Sequence, residues 1–403
     1  MNKRLALDAL NFSLADSPSV LGPFLGVFLL TRYHWDQAEI GLVAMIGGLS
    51  GIAARIPIGA AIDASSAKRA LLIAAVSAMA LAALGAAWAP TLWVVILASV
   101  AVAVAGAIQG PAVAALTLGL FERSELAQRM GRNGAFDHAG NIFTAVAAGI
   151  VGSLVSQRAV FLLVPLFSLA AGLSVLAIRP KDIDHARARG GDADTRPASY
   201  GELLHDTPLL VFSLCVMLFH LANAAMLPLV GQRLALTHDG WESAMMSLCI
   251  MGAQVVMLPV ALLCGISADR IGRKPMLIAG FAVLAARGML YTLSDQPAWL
   301  LGVQLLDGVG AGVMGVMVPL LVADLTEGSG RYNVSLGAVT ALGGVGAALS
   351  NAVAGAIVVE RGYDVAFASL SAIALLAFTL LWWQLPETAG RLRPVTVAPA
   401  GRR

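Results

Sequence analysis

Charge is what this sequence has least of: only 12% of its 403 residues are Asp, Glu, Lys or Arg, against about 25% in an ordinary soluble domain. That shortage excludes a water-soluble globular fold, which has to present charged side chains to solvent. Cysteine is almost absent too. Cys215, Cys249 and Cys264 all lie in apolar segments with neither paired nor metal-ligand spacing, so they read as reduced packing residues rather than as a disulfide or a metal centre. Aromatic residues are only 6%. Trp35, Trp88, Trp241, Trp299, Trp382 and Trp383 fall near the ends of apolar runs, where tryptophan anchors a helix at the membrane interface. No Walker loop, zinc-binding helix or nucleophile elbow is present. Chemistry on a substrate and ATP-driven work by this chain are therefore not expected, and neither are a cofactor, a metal or a nucleic-acid partner.

What is present is apolar length. Hydrophobic residues make up 58% of the chain, and the mean hydropathy is +0.81. Runs long enough to cross about 30 Å of hydrocarbon fall at 6–31, 38–62, 70–89, 92–118, 134–155 and 159–178, and again at 207–232, 243–267, 275–294, 297–322, 333–358 and 363–385. The 42 glycines suit close helix packing in lipid. The expected fold is an all-α membrane protein with twelve transmembrane helices in two pseudo-symmetric six-helix bundles. The first bundle is expected over residues 1–178 and the second over 207–390, joined by a polar linker at 179–206 and followed by a tail at 391–403.

The basic residues set the expected orientation. Of the 26 Lys and Arg, only Arg32, Arg158, Arg233 and Arg361 fall on the side away from the termini, and Arg55 and Arg287 lie within spans. Positive charge collects on the cytoplasmic side, so both termini and the linker are expected inside. Lys3 and Arg4 are followed by Asp8, Asn11 and Asp16, which interrupt any signal-peptide core. The Ala-rich composition and short loops suggest a bacterial inner membrane.

The two halves echo each other. Gly59, Asp63, Lys68 and Arg69 lie between spans 2 and 3, and Gly265, Asp269, Arg270, Gly272, Arg273 and Lys274 between spans 8 and 9, with one offset separating the Gly and Asp pairs. Gly131-Arg132-Asn133 at the start of span 5 is matched by Gly330-Arg331-Tyr332-Asn333 at the start of span 11. Parallel repeats of this kind build secondary transporters. The run from Gly265 to Pro275 resembles the loop signature G-x-x-x-D-R-x-G-R-[RK] of the major facilitator superfamily, and the span count and division extend the resemblance over the chain. It departs from that family in three places. The first-half loop lacks the central Arg and Gly, Gly106 stands where a span-4 arginine would fall, and span 5 from Asn141 to Gly149 lacks the Gly-Pro motif of drug/proton antiporters.

The loop residues suggest a gate at the cytoplasmic end. Glycines let helices approach, and an aspartate accepts hydrogen bonds at a helix start. Pseudo-symmetry predicts crossed partners: Asp63 facing Arg331 and Asp269 facing Arg132. Arg270, Arg273 and Lys274 would pair with Asp324 or Glu327, and the cluster would hold the outward-open state. The alternative is that these are topological charges only.

An ionisable side chain near the bilayer centre costs at least about 2.5–3.5 kcal/mol, so each one asks for a reason. The resemblance implies that spans 1, 4, 7 and 10 line a central cavity. Asp16 beside Pro18, Asp307 in span 10 and His220 in span 7 are candidates for proton coupling, each against a structural reading. Asn11, Arg55, Gln109, Asp137, Asn141, Asn223, Gln254, Gln304 and Asn351 are candidate cavity residues. Asp137 is equally read as a contact of Arg132 or Arg55. Arg55 is read as an anion site or as a snorkelling or Asp137-paired side chain, and Arg287 as structural or snorkelling.

Together these features predict gradient-driven transport of a small organic solute, with protons as coupling ion and a monomer as the default state. Export by antiport of a metabolite or drug-like compound fits the low cavity charge. Uptake by symport, or facilitated exchange, of an organic anion fits better if Arg55 faces the cavity. A non-transporting membrane sensor is the remaining alternative.

Overall fold

The computed structural model describes residues 3–15, 20–65, 67–122, 125–184, 207–237, 240–326 and 332–388. Among these residues the chain is helical throughout, with no strand. Nine helices are long and apolar enough to cross a membrane by length and composition. They supply spans 2, 3, 4, 6, 7, 8, 10, 11 and 12. The other three spans carry the reason for their weaker signal. Span 5, Leu126–Leu154, contains Arg129, Arg132 and Asp137. Span 9, Arg273–Leu290, contains Arg273, Lys274 and Arg287. Span 1 is broken into Lys3–Leu14, a π-helical turn at Val20–Phe24 and Leu25–Tyr33. The chain is an all-α membrane protein of twelve spans in two related bundles of six.

Proline and the repeat explain the local breaks. Pro23 sits in the π turn of span 1, where a ring without an N–H displaces the regular ladder. In span 7 the helices Thr207–Asn223 and Met226–Thr237 are separated at Ala224 and Ala225. There Pro228 cannot donate to the Ala224 carbonyl, and Ser350 on span 11 accepts the Ala225 N–H at 3.0 Å. Spans 2 and 8 both carry an internal proline, Pro57 and Pro259. So do spans 4 and 10, at Pro111 and Pro319. The pseudo-symmetry seen in the loops thus extends into the bent helices.

The halves meet along two seams, span 2 against span 11 and span 5 against span 8. Both seams depend on missing side chains. A Cβ on Gly41 would strike the Asn351 carbonyl, and one on Gly355 the Gln37 carbonyl. Gly149 and Gly152 face Ser247 and Ser243 in the same manner. Two hydrogen bonds cross between the halves among the described residues: Gln37 Nε2 to Tyr363 Oη at 2.8 Å, and Ser247 Oγ to the Ala145 carbonyl at 2.7 Å. All of these contacts lie toward the end away from the chain termini. Ile52 against Gly344 is further along the span 2 seam, and Arg55, one turn beyond, is exposed. At the terminal end Gly134, Gly265 and Gly337 face open space. Among the described residues the two halves are in contact toward the far end, and these glycines toward the terminal end are not.

Candidate functional site

The principal hollow is a cavity of about 600 Å³ bounded by spans 1, 2, 4, 7 and 11. Its walls are mostly small and apolar, because Gly47, Gly48, Gly51, Ala103 and Gly106 leave the backbone bare. Arg55, Ser99, Gln232 and Asn351 are the polar side chains in that lining. Asn351 is partly spent, since its Nδ2 donates to the Ala347 carbonyl at 3.1 Å. Arg55 has neither an ion pair nor a hydrogen bond among the described residues, so its guanidinium is available to a ligand. Arg55 forms no pair with Asp137.

A second hollow of about 430 Å³ lies between spans 1, 4 and 5. Asn11, Gln109 and Asp137 line it, with Asn133 and Thr117 beyond. Asn11 Nδ2 donates to the Leu7 carbonyl at 2.7 Å, and Gln109 Nε2 approaches Met79 Sδ at 2.8 Å. Asn141 Nδ2 donates to the Asp137 carbonyl at 3.1 Å and only weakly, at 3.4 Å, to its carboxylate. Asp137 does not pair with Arg132 or Arg55. Arg132 is turned instead to span 1, where it meets both oxygens of Asp8, joined by Arg129 at 2.5 Å. Gly106 borders both hollows.

Other expected cavity residues are elsewhere. Arg287 is 1% exposed and ion-paired with Asp307. Its second terminal nitrogen donates to Asn223 Oδ1 at 2.9 Å, and Gln304 Nε2 donates to Asp307 at 3.1 Å. Tyr291 Oη donates in turn to Gln304. Arg287 therefore neither snorkels nor touches lipid. Asn223, Gln304 and Asp307 face this guanidinium rather than either hollow, because an unpaired charge at that depth would cost several kcal/mol. His220 packs beside Phe219 and against Gly343, away from both hollows. Gln254 is half-buried on span 8 and lines neither. Asp16 lies outside the described residues.

The loop motif forms a structured cap in the second half. Arg273 Nε bonds Asp324 at 3.0 Å, and Thr388 Oγ1 reaches the same carboxylate at 2.7 Å. Glu387, which sequence reasoning missed, accepts the backbone N–H groups of Arg273 and Lys274 at 3.0 and 3.1 Å. Gly272 makes this possible, with φ of +99° and a carboxylate where a Cβ would be. Arg270 is exposed. In the first half Lys68 is buried and returns to the Ile62 and Ser65 carbonyls at 3.0 and 2.8 Å, a cation closing the C-terminal end of span 2. The side chains of Asp63 and Asp269, and the residues Arg331 and Glu327, are outside the described residues, as are most of the linker and the tail. Arg132 bonds Asp8 here, and the partner expected for it, the side chain of Asp269, lies outside the described residues.

Two related six-helix bundles around a central hollow are an architecture on which membrane transporters are built. The family model of the Major Facilitator Superfamily matches residues 9–264 and 235–402, and the chain belongs to that family, whose members similar to it are named as transporters rather than enzymes. It is 48% identical over 388 residues to an uncharacterised MFS-type transporter of Mycobacterium tuberculosis strain H37Rv, covering 95% of this chain and 93% of that one. It is 26% identical over 391 residues to a Deinococcus radiodurans protein named "Putative sugar efflux transporter", covering 94% and 96%. A point mutant of the nucleoside transporter NupG shares the fold, with a TM-score of 0.79 at 14% identity over 94% of this chain and 99% of that one.

Proposed function

We propose that this transporter moves a small organic solute bearing a negatively charged group, by alternating access, and that Arg55 receives that group. The observation carrying this reading is an arginine on the wall of the principal hollow with no partner among the described residues. A guanidinium taken from bulk water into such a wall gains most from a carboxylate or phosphate that accepts its planar donors. The small apolar walls fit an organic body of modest size, since ligand cavities run from about 300 to 1,000 Å³. The basic residues gathered at the terminal end support a cytoplasmic assignment for that end. On that assignment the hollow here faces inward, toward a cytosolic cargo.

Export in exchange for protons is the direction we favour. It rests on the efflux named for the Deinococcus relative, and uptake by symport or exchange of the same anion is the second reading, favoured by Arg55 on the cavity wall. Asp16 is kept as the coupling candidate on its position in a broken span 1. Asp307 and His220 are withdrawn, the first because it neutralises Arg287 and the second because it is remote from both hollows. The domains are proposed as residues 1–178 and 207–390 with the linker between, and the working unit as a monomer.

The test uses purified protein in liposomes with a pH dye inside and a panel of organic anions, sugars and amphipathic amines. Organic anions are expected to trigger a pH change whose sign gives the direction, and Arg55→Gln to abolish it. A response to neutral sugars or amines that survives Arg55→Gln would overturn the anion reading.

A further inference from the structure

Arg55 and Asp137 line two adjoining hollows, and neither forms an ion pair among the described residues. Arg55 closes one side of the principal cavity from span 2. Asp137 closes the other side of the second cavity from span 5, held only by a 3.4 Å contact from Asn141. The partition between them is the bare backbone of Gly106 on span 4, which lines both. A Cβ at Gly106 would meet nothing within 4 Å, and the same holds one turn on at Gly110. Glycine at these positions is therefore not explained by helix packing, unlike Gly41 or Gly355. It places no side chain between the hollow that Arg55 lines and the one that Asp137 lines.

An isolated cation and an isolated anion in adjoining hollows do not serve one simple anion well. Asp137 would repel a carboxylate that reached past Gly106, and an amine alone would leave Arg55 unsatisfied. A molecule with an anionic group at one end and a cationic group at the other satisfies both, and each contact discriminates against a cargo lacking the matching charge. Resting on the anion reading above, we propose that the cargo is amphoteric: a small ω-amino acid or similar zwitterion that lies across Gly106, its acid on Arg55 and its ammonium on Asp137. The other charged groups around Asp137 do not compete for this role. Arg129 and Arg132 are engaged with Asp8, and His138, next to Asp137 in the chain, acts on it electrostatically while itself exposed.

The test places a thiol between the hollows with Gly106→Cys, which the open space accommodates, and reads its modification above the background of the unmodified chain. An anionic sulfonate reagent and a cationic trimethylammonium reagent are compared in liposomes. Arg55→Gln is expected to slow the sulfonate reagent several-fold, and Asp137→Asn to slow the ammonium reagent several-fold. ε-Aminocaproate is expected to protect the thiol, with caproate and hexylamine each protecting at least several-fold less. Rates unchanged by either substitution would show that the two charges do not act on the space beside Gly106, and the proposal would fall. Caproate protecting as well as ε-aminocaproate, with Asp137→Asn without effect, would refute the amphoteric cargo and leave the anion reading standing. Protection by caproate that Arg55→Gln leaves intact would remove both.

Discussion

Arg287 on span 9 and Asp307 on span 10 form an ion pair inside the second bundle, with Arg287 only 1% exposed. Asn223 on span 7 completes the guanidinium's hydrogen bonds, and Gln304 braces the carboxylate. Three spans are thereby tied at one point. Removing one charge leaves the other buried and unpaired, which costs about 3–5 kcal/mol, whereas removing both together costs far less. Arg287→Met and Asp307→Leu are each expected to lower the melting temperature in detergent strongly, and the double variant to recover most of the loss. A double variant no more stable than the singles would mean that packing, not charge, is what this cluster contributes.

The end of span 9 makes a second, smaller prediction. Glu387 accepts two backbone N–H groups there, the role of a capping side chain reached from the end of span 12. Loss of a cap costs about 0.5–2 kcal/mol, so Glu387→Gln is expected to be mild and Glu387→Ala measurably destabilising. Gly272→Ala is expected to be worse than either. It would hold a side chain at φ of +99° and press it against that carboxylate. Thermal melts of the three variants under identical conditions give the order directly.

Much of this architecture was legible before the structure, and the reasons are local. Apolar run length, loop charge and the repeated glycine–aspartate spacing each survive without knowing how a helix is rotated. Rotation is what the sequence conceals. Arg287 was readable as a lipid-facing or structural side chain because nothing in span 9 alone says that it meets span 10. Asn223 and Gln304 were assigned to the cavity for the same reason, and they turn out to face the arginine. Asp8 reads from the sequence only as a charge that interrupts a signal-peptide core, although it is 2% exposed beneath Arg129 and Arg132. Its signal was present as three charges too close to the membrane to stay unpaired, but their partnership needed the packing of spans 1 and 5. Glu387 lay beyond the last apolar run, where an acid passes for solvated tail.

The hydrogen bond from Gln37 to Tyr363 joins the halves at the far end. Its net worth is about 0.5–1.5 kcal/mol, and 1.4 kcal/mol is about tenfold in an equilibrium. Tyr363→Phe is accordingly expected to shift the protein toward the state open at the far end by about two- to tenfold. Distances between spin labels placed at the far ends of spans 2 and 11 report the populations. An unchanged distribution would show that the glycine seam alone holds this end shut.

That seam supplies the sharpest prediction about the transport cycle. Gly41 and Gly355 sit where backbone carbonyls of the opposite half leave no volume for a side chain. Gly355→Leu therefore blocks closure of the far end without touching Arg55, Asp137 or either hollow. Alternating access requires that closure once per cycle, and a clash against backbone has no cheap relief because the partner cannot swing aside. Gly355→Leu is expected to abolish net transport and counterflow alike, while the far-end spin-label distances lengthen. Gly106→Leu makes the matched control. It fills the space beside both hollows, so substrate-triggered transport is expected to disappear, yet it leaves the seam alone and the far-end distances in place. If Gly355→Leu instead transported normally, the two halves would have to separate at this end by some path other than the span 2 and span 11 contact, and the rocking of rigid bundles would be the wrong description of this molecule.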